Sequence, residues 1–224
     1  MFVIIIKKRD DMFKDRTEAG KLLAKELKKL QDKGLITDPV IVALPRGGIP
    51  VAAEIAKELN APLDILFVKK IPAPGNDEFA IGSVSENGLV FVNKDIVERL
   101  GISESYIQQK AMEKIQEIAR LREKYKIEPK LLEGKDVILV DDGVATGASM
   151  YLAAQSIVRE YPKSVIIAVP VAPKDAEVEN MLKSVSHKLI VLEQPELFMS
   201  VGRWYEDFHQ LSDEEVINIL SQFK

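Results

Sequence analysis

Residues Val137–Ser149 read VILVDDGVATGAS, and the reading of this stretch decides the fold. Val137–Val140 is a short aliphatic run, the pattern of a strand buried on both faces of a parallel sheet. Asp141 and Asp142 stand at its carboxyl end. Gly143, Val144, Ala145, Thr146 and Gly147 form a loop of mostly small residues, and Ser149 lies where a helix begins. Ligands of open α/β sheets bind beyond the carboxyl ends of the strands, so topology places a site here. Small residues let backbone N–H groups face one point, and the helix adds the positive end of its dipole. Both suit a phosphate, with Thr146 and Ser149 as hydroxyl donors. Two carboxylates repel a phosphate set directly on them, but they accept hydrogen bonds from a vicinal diol. A diol a few ångströms from a monophosphate describes a ribose 5-phosphate. The plainer alternative is an ordinary loop with two exposed aspartates near a helix start. The combination of strand, acid pair, small-residue loop, hydroxyls and helix argues against it. The usual dinucleotide and nucleoside-triphosphate glycine patterns are absent.

The rest of the chain agrees with a parallel sheet. Val40–Leu44, Leu63–Val68, Val165–Val169 and Leu189–Leu192 are further strand-like runs, and Phe2–Ile6 reads as a buried first strand. Between them lie helical stripes: Ala19, Leu22, Leu23, Leu27 and Leu30; Val51, Ala52, Ile55, Ala56 and Leu59; Met150, Tyr151, Ala154, Ile157, Val158 and Tyr161. Strand–helix alternation predicts an α/β fold with a doubly wound, mostly parallel sheet. Two regions depart from it. Ile71–Asn93 carries Pro72, Pro74, Gly75, Gly82 and Gly88, and reads as a long loop leading into a hairpin at Asn87-Gly88. Ser103–Lys126 reads as one long inserted amphipathic helix, and Ser212–Phe223 as a last helix opened by a Ser212–Glu215 capping box. A single domain over residues 1–224 is expected, with a core over about 13–192, a lid over about 69–92, and a small hood with the C-terminal helix over about 193–224.

Composition narrows the function classes. The 224 residues are 46 % hydrophobic and 29 % charged, enough for a core and a polar surface. A net charge of −4 disfavours nucleic-acid partners, which demand concentrated positive charge. The absence of cysteine excludes disulfides, thiolate nucleophiles and Cys-ligated metals. No run approaches the roughly 20 apolar residues a membrane span takes, and Phe2–Ile6 lacks the pattern of a signal peptide. A cytoplasmic location is the expectation.

A second Gly-containing loop, Ala43–Gly48, also follows a strand and precedes a helix. Arg46 offers a planar fork for diphosphate oxygens, and Gly47 and Gly48 permit close backbone approach. Lys69 and Lys70 end the run Leu63–Val68, where one cation can neutralise a diphosphate; Lys69 is preferred as nearer the strand end. Phe198, Trp204, Tyr205 and Phe208 supply rings for stacking on a base, and Arg203 and Asp207 polar groups for a base edge. Plain packing is the alternative for each ring. His187 and His209 lack metal-ligand spacing and read as structural.

VILVDDGVATGAS resembles the phosphoribosyl-diphosphate (PRPP) signature of the type I phosphoribosyltransferases. The chain from about Phe13 through Phe223 is similar to a less-characterised subgroup of that family through ALPRGGIPVAAEIA, APGNDEFAIGSV and VGRWYEDFHQLSDEEV. Pro195–Gly202 is similar to the hood of purine-salvage enzymes. The resemblance implies that Asp141 and Asp142 hold the ribose hydroxyls, directly or through Mg2+ bound mostly by way of water, and that Gly143–Gly147 wrap the 5-phosphate. It puts Pro45, Arg46, Gly47 and Gly48 in the pyrophosphate loop, where family members often have a strained peptide, and makes Ile71–Ser83 a mobile lid. It further implies transfer of the phosphoribosyl group to a nitrogenous base, a purine among the candidates, by a homodimer. The alternatives are a regulator that binds PRPP or a nucleotide without turnover, and transfer to an acceptor other than a nucleobase.

Overall fold

The computed structural model describes residues 2–5 and 12–223. In chain order, the main sheet begins with β1 (Phe2–Ile5), whose side chains, like Ile6, lie outside the described residues. Helix α1 (Arg16–Asp32) follows, capped by the Asp15 side chain, which accepts from the Glu18 amide at 2.7 Å. Then come β2 (Pro39–Ala43), α2 (Gly48–Leu59) and β3 (Leu63–Ile65). A side excursion comprises β4 (Val68–Ala73), β5 (Asn76–Ser85), β6 (Val90–Val92), α3 (Lys94–Leu100) and α4 (Glu104–Tyr125). The chain returns through β7 (Asp136–Val140), α5 (Ala148–Val158), β8 (Ser164–Val171), α6 (Ala176–Ser184), β9 (Lys188–Glu193) and α7 (Asp213–Leu220).

The main sheet has the order β1-β9-β8-β7-β2-β3, and every pairing in it is parallel. Its faces alternate along each strand, as the two-residue pleat requires. Ile138 and Val140 pack with Leu23, Ile49, Ile55 and Val216 on the side of α1, α2 and α7. Val137 and Leu139 pack with Met150, Ala153, Ile157 and Leu182 on the side of α5 and α6. Such two-sided burial explains why the strand sequences are continuously apolar. From β2 the chain winds outward to β3, whereas from β7 it winds the other way to β8 and β9. The order therefore reverses between β2 and β7, and a crevice opens beyond their carboxyl ends.

Three expectations change. Ile71–Ser83 is not a loop: β4 and β5 form a hairpin across Pro74-Gly75, with Gly75 at φ 72°, and β6 completes a three-stranded antiparallel sheet. Pro72 is accommodated because β4 is an edge strand with register shifts on both sides of it. The run Leu63–Val68 divides, with Leu63–Ile65 in the main sheet and Val68 opening β4, so Lys69 and Lys70 lie within the small sheet. Helices α3 and α6 were not anticipated; each is under ten residues and starts from an Asn93 or Asp175 cap. The turn at Asn87-Gly88 is present, and the long helix is bounded by Ser103 and Lys126. No described helix is long and apolar enough to cross a membrane.

At the opposite edge from the crevice, Asp136 ties three strands together. Its carboxylate accepts from the Thr37 amide (2.8 Å), the Thr37 hydroxyl (3.1 Å), the Asp38 amide (3.3 Å), Lys163 (3.1 Å) and Ser164 (2.7 Å). Burial alone would raise this carboxyl, but the donors outweigh it and hold it down at about 2. The unfolded chain titrates near 3.9. The stabilisation is therefore complete above about pH 4 and is lost as pH falls through about 2. Asp136→Ala is expected to lower stability at pH 7 by about 2–4 kcal/mol. Urea melts should show the gap from wild type narrowing below about pH 4; a pH-independent gap contradicts the assignment.

Candidate functional site

Two loops meet in the crevice. Beyond β2, the Leu44 amide continues the ladder to the Val140 carbonyl at 2.9 Å, the Pro45–Arg46 peptide is cis, and the chain turns into α2 at Gly48. Beyond β7, Asp141 and Asp142 lead into the loop that enters α5 at Ala148. The loops touch. A Cβ on Gly47 would lie 2.0 Å from Asp142 Oδ2, and one on Gly48 would lie 2.7 Å from the Val140 carbonyl oxygen. Only glycine fits at these two positions, for reasons of contact rather than of backbone angle.

The acid pair is ordered by its neighbours. Asp141 Oδ1 accepts from the Asp142 amide at 2.8 Å. Asp142 Oδ2 accepts from Arg16 Nε at 2.8 Å, and its backbone carbonyl accepts from the Tyr205 hydroxyl at 2.6 Å. Asp141 Oδ2 and Asp142 Oδ1 have no hydrogen-bond partner among the described residues. Burial, and then repulsion from Asp142, push the Asp141 carboxyl well above the usual carboxylate range. Burial also raises Asp142, and Arg16 restrains the rise. A cation or hydroxyl donor arriving at the pair therefore meets two carboxylate oxygens that no donor among the described residues occupies.

The loop after the pair suits an anion. Ala145, Thr146, Ala148 and Ser149 are exposed, and the amides of Gly143, Ala145, Thr146 and Gly147 have no partner among the described residues. Val144 is the exception: its amide donates to the Val171 carbonyl at 2.9 Å and its side chain is in the core. Gly147 holds φ 78° at the start of the eleven-residue α5, a conformation that costs glycine little. The unsatisfied first-turn amides of that helix add to the cradle.

Other expected residues lie apart. Arg46 donates from Nη1 to the Leu211 carbonyl at 2.8 Å and stands 3.7 Å from Asp213, so its guanidinium rests on the start of α7. Asp213 is shared with Lys124 and with the Tyr125 hydroxyl at 2.8 Å. Burial and that carboxylate push Tyr125 up to about 12, so the phenol keeps its proton and donates. Lys69 and Lys70 line a cleft of about 600 Å³ between β4 and α4, with Asp77, Lys110, Glu113 and Glu117; the acid pair is not in its wall. Phe198 and Trp204 are half-buried against the core, beside Val201 and Phe208. Tyr205 is buried, with its ring 5.4 Å from Phe13 and stacked 5.1 Å from Phe208. It is closed off from stacking on a ligand, and its hydroxyl anchors the acid-pair backbone instead. Asp207 is exposed and bound to His209 Nδ1 at 2.9 Å. His187 Nδ1 accepts from the Val165 amide, a structural role. No group of three or more His, Asp or Glu suited to a metal occurs among the described residues.

Arg16 and Phe13 escaped the sequence reading. The segment from Phe13 is stapled to the hood by backbone bonds Phe13 N to Trp204 O and Glu206 N to Phe13 O, both 2.8 Å. One signal for Arg16 was available. A cation in the first turn of a helix opposes the macrodipole, so a tertiary partner is required to hold it there.

Known proteins share this arrangement of strands and loops. The family described as the phosphoribosyl transferase domain matches residues 11–193. Two Mycobacterium tuberculosis proteins, from strains CDC 1551 / Oshkosh and H37Rv and provisionally named phosphoribosyl transferases, are each 35 % identical over 213 residues. That match covers 94 % of this chain and 47 % of theirs, so the chain spans about half their length. The crystal structure of TT1426 from Thermus thermophilus is similar at 39 % identity and a TM-score of 0.77, covering 95 % of this chain and 99 % of that one.

The contact between the loops makes a direct prediction. Gly47→Ala forces Asp142 off Arg16 or moves the loop, an overpacking expected to cost about 1–3 kcal/mol. The melting temperature should fall by about 2–4 °C for each kcal/mol in a chain of this size. An unchanged melting curve would show that the two loops are not in contact in solution.

Proposed function

The chain belongs to the phosphoribosyl transferase domain family, and from that premise we propose that it transfers the 5-phosphoribosyl group of PRPP to a nitrogenous base. The observation that carries the reading is the pairing, beyond one strand, of two carboxylates with unsatisfied oxygens and a loop of unsatisfied amides. Asp141 Oδ2 and Asp142 Oδ1 accept from the ribose hydroxyls. The amides of Ala145, Thr146 and Gly147, the Thr146 and Ser149 hydroxyls and the first turn of α5 bind the 5-phosphate. The diphosphate then falls toward Pro45–Gly48, where Arg46 can reach it on leaving the Leu211 carbonyl.

The reaction breaks the bond from the anomeric carbon to the diphosphate oxygen and forms one to a ring nitrogen of the base. The nitrogen's proton passes to solvent, and pyrophosphate leaves with the bonding electrons. Positive charge grows on the sugar ring next to the acid pair, and negative charge grows on the leaving group next to Arg46. The pair also fits Mg2+: two carboxylate oxygens left over from protein hydrogen bonds match an ion that retains most of its waters. Bound there with the diphosphate, the ion would neutralise charge on the leaving group. Phe198 and Trp204, half-buried in the hood, border the acceptor side, with a purine as the first base to try.

The test is PRPP-dependent pyrophosphate release across a panel of bases, with and without Mg2+, beside calorimetric titration with PRPP. One base should drive release. Binding without release for any base would make the chain a PRPP-binding regulator, and release without a base would make it a hydrolase. Asp141→Asn should lower kcat/KM for PRPP about 10- to 1,000-fold, within the range for loss of a charge-stabilising group. Wild-type kinetics in that variant would remove Asp141 from the mechanism.

A further inference from the structure

Arg16 lies 126 residues before Asp142 in the chain, yet its guanidinium bonds directly to the acid pair. Its side chain is only 9 % exposed. Nε donates to Asp142 Oδ2 at 2.8 Å, Nη1 donates to the His209 carbonyl at 3.0 Å, and the guanidinium carbon lies 3.9 Å above the centre of the Phe208 ring. The three contacts use the planar fork and the flat face of the group together, which an ammonium cannot reproduce. The helix that carries Arg16 gives it no electrostatic support, since its N-terminal end is already positive. The contacts therefore explain its position, and they lead to the site.

Building on the proposed transfer from PRPP, we propose that Arg16 is a positioning residue that presents the acid pair to the ribose diol. By occupying Asp142 Oδ2 it fixes the carboxylate rotamer in the gap beside Gly47 and leaves Oδ1 for the ligand. The Asp142 amide does the same for Asp141 by taking Oδ1. Each acid then offers one oxygen, two acceptors for two adjacent hydroxyls. Arg16 in turn is held by the chain that forms the hood. Phe208 lies under it, and the backbone of His209 caps it. That turn is fastened by the His209 ring, which bridges Asp207 and Glu215 at 2.9 Å each, while Glu215 also closes the cap of α7. One guanidinium thus joins the C-terminal strap to the sugar-binding end of the crevice.

The experiment compares wild type, Arg16→Ala and Arg16→Lys by PRPP titration and by steady-state kinetics, with melting temperatures alongside. The expected result is a weakening of PRPP binding by about 10- to 100-fold in Arg16→Ala, the range for groups that orient a ligating side chain. The KM of the acceptor should stay near wild type. Millimolar ethylguanidinium should restore PRPP binding to Arg16→Ala. Arg16→Lys keeps the charge and loses the fork, so it should fold with a lowered melting temperature and bind PRPP weakly; it carries the test if Arg16→Ala does not fold. Wild-type PRPP affinity in either folded variant overturns the proposal. So does ethylguanidinium that restores the melting temperature without restoring affinity. If wild type itself ignores PRPP, the transferase reading fails first and this inference falls with it.

Discussion

The structure turns on the close approach of two turns, the Gly47 backbone against the Asp142 carboxylate and the Gly48 backbone against Val140 and Asp141. Strands β2 and β7 are neighbours in the sheet and run parallel, so the segments that leave them emerge side by side. The 2.0 Å left for a Cβ at position 47 shows how little room they share. This closeness sets the acids against a wall of backbone and limits the directions their carboxylates can take. The anion cradle follows on the same turn, and the strap from the C-terminal segment closes the back. The groups assigned to the sugar and its phosphates are all placed by that pair of adjacent strand ends.

Two aspartates stand at opposite ends of β7 and behave in opposite ways. Asp136 is buried but surrounded by donors, and its carboxyl is held down at about 2. Asp141 is half-buried with one internal amide and a like-charged neighbour, and its carboxyl is pushed up. The difference is the supply of hydrogen bonds, since both leave bulk water. Saturated acids knit strands together, as Asp136 does with Thr37, Asp38, Lys163 and Ser164. An acid left short of donors has capacity for something the protein itself does not provide.

The sheet, its helices and the loop at Asp141–Gly147 were legible because their signals are local: continuous apolar runs, stripes at helical spacing, and a motif contained in thirteen residues. Val144 shows the limit of such a motif. It lies in the middle of the loop, yet its amide serves β8 through Val171. The small sheet was harder, because its proline and glycines read as loop, whereas Pro72 sits on an edge strand with shifted register, Gly75 in the hairpin turn and Gly82 within β5. Lys69 and Lys70 read as the end of a main-sheet strand because Leu66 and Phe67 prolong the apolar run after the strand has ended. Arg16 and Tyr205 were out of reach for another reason. Their partner Asp142 is 126 and 63 residues away, and no periodicity records a contact at such separation.

The junction at Asp213 gathers charges from three separate parts of the chain. Arg46 from the first turn, and Lys124 and Tyr125 from the last turn of α4, all converge on that carboxylate. Helix α4 has 22 residues, which makes it about 33 Å long. Its flank packs on β4 and β5, and Arg122 in its last turn also binds Asp64 and Glu86, so one helix carries the small sheet and is fastened to the main sheet at the same end. The arginine of the crevice loop and the helix bearing the outlying sheet therefore share one counter-charge, and neither can be repositioned without the other losing part of its neutralisation.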